Sequence, residues 1–206
     1  MNTDTLHDDI SYLRKLAESG RKGPILGGVF LAGAGVVFGI AALVNGAADI
    51  GWIPLRGDGL LYLWLGASVV FALFWIVMFS RLRGRPQAEG ANTSTMVFGT
   101  TWSACGAGVM VCFLCTLIVA RMTGVQVVLT AYIPVIFAFY GTAWFISAAL
   151  AKRGWMVIAA IAAYAFAFVI ALLTYSAAQT FVMGGALFVL LTVPGLRLAA
   201  DETRQA

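Results

Sequence analysis

The chain has 206 residues, of which 61% are hydrophobic and only 11% charged, with a formal net charge of +4. A soluble domain carries about a quarter charged residues, so this composition excludes a water-soluble globule: there are too few polar groups to cover one. The basic residues sit at the ends of apolar blocks, where they read as topology signals, and give no footprint for nucleic acid.

The apolar residues come in blocks of the length that crosses a hydrocarbon core, roughly 20 residues for about 30 Å. The predicted fold is therefore all-α: a polytopic membrane protein of six transmembrane helices, preceded by an amphipathic helix. Residues 1–23 are polar and charged, without the apolar core or small-residue cleavage site of a signal peptide. Within them, Leu6, Ile10, Leu13, Leu16 and Ala17 recur at helical spacing. Asp4, Asp8 and Asp9 crowd the first turn, and Arg14 and Lys15 follow, as the helix dipole prefers. The helix would end at Gly20 and Gly23, before Pro24. Residues 4–20 either lie on the inner leaflet, apolar face in the headgroup zone and basic end on anionic lipid, or dock on the protein itself or on a cytoplasmic partner; the acidic start, which anionic lipid repels, favours docking.

The membrane domain is expected over 24–197, with spans at 25–44, 60–79, 97–120, 125–150, 155–173 and 177–196, and with a cytoplasmic tail at 198–206. No charge separates Trp155 from Leu196, a run too long for one crossing. Thr174, Tyr175, Ser176, Gln179 and Thr180 mark the expected bend. The stretch from Arg83 to Thr95, rich in Gly, Pro and small polar residues, is the longest loop on the basic side.

Charge sets the orientation. Arg14, Lys15, Arg21, Lys22, Arg81, Arg83, Arg85, Lys152, Arg153, Arg197 and Arg204 fall on one side, against Arg56 and Arg121 on the other. Positive charge stays in the cytoplasm, so both termini are expected there. An even number of spans agrees with that placement.

Apolar surface does not drive helices together in lipid; close packing of small residues does. Span one offers Gly28, Ala32, Gly35 and Gly39 on one face, and span five offers Ala159, Ala163, Ala167 and Ala171 at four-residue steps. These are expected as packing surfaces, within the chain or towards a second copy in a homo-oligomer.

The chemistry of the interior is sparse. No charged residue falls within a predicted span, which argues against a proton pump or an intramembrane enzyme needing an acid, a base or a metal. The one histidine, His7, lies in the amphipathic opening and cannot supply paired haem ligands. Neither a catalytic set nor a metal or cofactor site is expected. Cys105, Cys112 and Cys115 fall on one side of span three with Thr101 and Gly108 and read as small packing residues. Span four is the most suggestive helix. Gln126, Thr130, Phe137, Tyr140 and Trp144 share a broad face with Pro134, which should kink the helix or free a carbonyl. They are the candidate lining of a cavity, or else they hydrogen-bond neighbouring helices. Tyr164 and Gln179 could face the same place.

The run Asp9-Ile10-Ser11-Tyr12-Leu13-Arg14, then Leu16-Ala17-Glu18, Gly20, Pro24 and Leu26-Gly27-Gly28, resembles the opening of an uncharacterised family of small bacterial inner-membrane proteins. That resemblance implies a bacterial inner-membrane setting and carries no activity. The layout is also similar to the acetate/succinate channel family, which places six spans in a chain of similar length. Its Asn-Pro-Ala-Pro-Leu-Gly-Leu hallmark is matched here only by Pro24, Leu26 and Gly27, so no site transfers.

Two functions are compatible with these readings. One is a non-catalytic accessory or regulatory subunit of a larger membrane complex. The other is a passive channel or facilitator for a small neutral or weakly acidic solute.

Overall fold

The computed structural model describes residues 27–82, 92–125 and 127–205. The expected amphipathic helix at 4–20, most of the loop after Arg83, and Gln126 lie outside the described residues. Every regular element that is described is helical: α1 (Gly28–Asp49), α2 (Asp58–Leu82), α3 (Asn92–Thr123), α4 (Val127–Ala151), α5 (Gly154–Leu172), α6 (Ala178–Leu187), a π turn (Phe188–Thr192) and α7 (Val193–Gln205). The last three run on without a break, so six helices are long and apolar enough to cross a membrane. The chain is an all-helical, multi-pass membrane protein.

The turns follow from local chemistry. Gly51 and Gly57 take left-handed backbone between α1 and α2, and Asp58 brings an acid to the first turn of α2. Lys152 closes the short α4–α5 turn with a φ of 50°, a conformation usually left to glycine. The uncharged run turns where it was expected to. Tyr175 is left-handed there, and Ser176 Oγ accepts from the Ala178 N–H at 3.2 Å to start α6.

Span six runs on into the region expected as the tail: α7 stays helical to Gln205. Its last turns touch α1 and the α4–α5 turn. Glu202 Oε1 accepts from the N–H groups of Gly27 and Gly28, at 3.0 and 3.2 Å, at the start of α1. A carboxylate there meets the positive end of the helix dipole and satisfies two donors that α1 cannot pair internally. Arg153, in the α4–α5 turn, bonds Asp201 at 2.7 Å. Arg197 lies over the Trp155 ring, 4.8 Å from its centroid, and Leu198 is buried.

Span one packs between α2 and span six, and α4 packs between α3 and α5. The small-residue faces do not meet each other. Gly28 approaches Gly195 and Ala199 so closely that a Cβ would lie 2.5 Å from backbone atoms, and Gly35 sits equally tight against Thr192. Gly39 lies against Phe188. On span five, Ala159 and Ala163 are buried while Ala167 is half-buried and Ala171 exposed. That helix packs chiefly on α4, where the Tyr164 ring covers Gly141. Helix α2 stands apart. None of its described side chains is buried, and it leans on α1 through Phe71, Phe74 and Trp75.

Candidate functional site

The face of span four is built around Pro134. Proline has no N–H, so the carbonyl four residues earlier in the helix, that of Thr130, has no partner within α4. In lipid an unpaired carbonyl costs several kcal/mol unless a neighbour supplies a donor. Gln179, near the start of α6 and 3% exposed, supplies it: Nε2 donates to the Thr130 carbonyl at 3.2 Å. The same amide donates to the Ile170 carbonyl at 3.2 Å, near the end of α5, where that oxygen also accepts from the Leu173 N–H, and lies 3.4 Å from Thr174 Oγ1. One side chain thus joins three helices. The Thr130 hydroxyl turns back to its own helix, donating to the Val127 carbonyl.

Further along α4, Phe137 and Trp144 have no exposed surface and form the centre of the core. Phe137 meets Tyr140 edge-on, and Tyr140, half-buried, contacts Trp102 of α3. Trp144 meets Trp102 in a T-shaped contact at 5.1 Å and Trp155 at 5.7 Å. Its Nε1 donates to the Leu190 carbonyl at 3.0 Å, inside the π turn of span six. Ser147, one turn on, bonds the Ala143 carbonyl of its own helix.

Of the candidate cavity residues, Phe137, Tyr140 and Trp144 are thus drawn into contacts with other residues of the core, Thr130 joins α6 through its carbonyl, and Pro134 is half-buried. Tyr164 points elsewhere, its hydroxyl 3.1 Å from Thr142 on an exposed side. An open groove does exist, of about 560 Å³, between α3 and α4. It runs along a different face of α4, past Phe139, Thr142 and Ile146, with Thr101 and Cys105 on the α3 side. Two of its hydroxyls, Thr100 and Thr142, bond backbone carbonyls of their own helices, which leaves the groove apolar.

Cys105 is buried, Cys112 half-buried and Cys115 exposed, all as free thiols. Among the described residues no group of three His, Cys, Asp or Glu side chains could hold a metal ion.

No protein-family model, curated protein or solved structure matches this chain.

A second polar cluster lies at the same end of the bundle as Gln179. Asn45 bonds Asp49 at 2.9 Å, accepts from Trp64 Nε1 at 3.1 Å, and so ties α2 to α1. Thr180 reaches Asp49 from α6 at 3.1 Å. Sequence reading did not single out this cluster, nor Pro194, Asp201 and Glu202. Pro194 carried the one clear signal, a proline inside an apolar span.

Proposed function

We propose that the chain is a non-catalytic integral membrane subunit that docks on a larger membrane complex in the bacterial inner membrane. One observation carries the reading. The side chains best suited to line a path, Phe137, Trp144 and Gln179, are buried, and the last two are bonded to backbone carbonyls of neighbouring helices. A facilitator would need the span-four face along an open route. A scaffold needs it closed.

The outer helices support the same reading. Mutual packing is what holds helices together in lipid, yet α2 buries none of its described side chains on its own bundle. Gly66 on α2 and Gly99 and Gly106 on α3 have nothing within reach of a Cβ, whereas the glycines of span one are all tightly met. A bundle closed within and open-faced at its flanks suits a subunit that takes its remaining helix contacts from another protein.

Extraction in a mild detergent, followed by mass spectrometry of what co-purifies, tests this. A second membrane protein in fixed ratio is the expected result. Recovery of the chain alone, as a homo-oligomer enclosing a pore, would sink the reading.

A further inference from the structure

Spans four and six hold each other's backbone. Pro134 leaves the Thr130 carbonyl of α4 open, and Gln179 of α6 donates to it. Trp144 of α4 donates in turn to the Leu190 carbonyl of span six, in the π turn just ahead of Pro194. Each span thus supplies a side-chain donor to a backbone carbonyl of the other, close to a proline. The two bonds lie roughly 20 Å apart along α4, at about 1.5 Å per residue.

From this arrangement we propose a hinged pair. The Gln179 junction is the fixed pivot, and the Trp144–Leu190 bond is a latch whose release frees the arm running from the π turn through α7.

Three observations separate pivot from latch. Gln179 bonds α4, the end of α5 and the α5–α6 turn at once, so it cannot leave one acceptor without disturbing the rest. Trp144 holds a single acceptor. That acceptor sits in a π turn, a widened ring of helix that occurs mostly as a local bulge and frequently where a helix does something. Two buried side-chain polar atoms lack a partner among the described residues: Trp102 Nε1, on the ring packed against Trp144, and Thr192 Oγ1, in the π turn and facing Gly35 of α1. A native interior leaves few such atoms, and each calls for an explanation. The arm then ends in the contacts of Arg197, Asp201 and Glu202, which hold α7 shut on Trp155, Arg153 and the start of α1. The device needs no partner protein.

Hydrogen–deuterium exchange on the purified full-length protein tests it. Trp144→Phe keeps the ring and removes the donor. Exchange in α7 should rise about three- to tenfold, the effect of one unpaired buried carbonyl in a membrane protein, while the α5–α6 turn stays as in the wild type. No rise in α7, or an equal rise in every helix, overturns the latch. If Trp144→Phe does not accumulate, exchange of the wild-type protein decides: opening of α7 ahead of the α5–α6 turn supports the latch, and any other order overturns it. Gln179→Leu should loosen the ends of α4, α5 and α6 together, and loosening of α7 alone would overturn the pivot.

Discussion

Gly35 sits where span one comes closest to span six. A Cβ there would lie 2.3 Å from Thr192 Oγ1 and 2.6 Å from the Thr192 amide nitrogen, and backbone cannot step aside as a side chain can. Gly35→Ala should therefore destabilise the bundle by about 1–3 kcal/mol, as overpacking does. Gly185, also in span six, has nothing within 4 Å. There the same substitution should be neutral or stabilising by up to roughly 1 kcal/mol, since alanine is the better helix former. Thermal unfolding of the two variants in one detergent checks the contrast, and equal effects would mean that the approach at Gly35 is not tight. The small-residue face of span one was legible in the sequence because a four-residue recurrence of glycine has few other uses in lipid. Its partner was not. Span six shows no such regular face, only Gly184, Thr192, Gly195 and Ala199 at the positions that geometry requires. Span four's Trp144 was legible as special but not as a donor, because its acceptor is a backbone atom and every residue has one.

At the scale of elements, α7 carries contacts that hydropathy does not reveal. A tail is expected there because the apolar run ends at Leu196. The structure uses Arg197, Asp201 and Glu202 as contacts to α5, the α4–α5 turn and α1. Truncation after Leu196 would remove the carboxylate on the α1 N-terminus, the Arg153–Asp201 pair, the Arg197–Trp155 contact and the burial of Leu198. The exposed pairs are worth little each, but the capping carboxylate is a charge-assisted bond at a dipole end, worth up to about 2 kcal/mol. The truncated protein should lose on the order of 5 °C in thermal midpoint. Glu202→Gln, which keeps the helix, should show a smaller fall in the same direction. An unchanged midpoint in the truncated form would mean α7 holds nothing. Of the residues expected to mark the bend, Thr174, Tyr175 and Ser176 are where the chain turns, and Gln179 and Thr180 lie in the first turn of α6.

Across the whole molecule, membrane insertion and side are questions of charge distribution. Eleven of the thirteen basic residues flank one end of the spans. Both termini are therefore predicted in the cytoplasm. Reporter fusions at residue 206 and within the Ile50–Gly57 turn should report opposite sides, the first cytoplasmic and the second not. The reverse pattern, or the same side for both, would break the topology.

The six apolar helices and the absence of charge from the predicted spans were legible in the sequence alone, and the orientation is its prediction. They depend on sums over long segments, on hydropathy and on basic residues, which need no knowledge of what lies beside what. The tertiary structure decided which faces meet, that helix continues to Gln205 with contacts to α1 and the α4–α5 turn, and that span four is tied by side chains to backbone carbonyls of span six and the reverse. Those outcomes turn on single donors reaching single carbonyls, Gln179 to Thr130 and Trp144 to Leu190. A backbone acceptor carries no mark of its own in the sequence of the helix that must satisfy it.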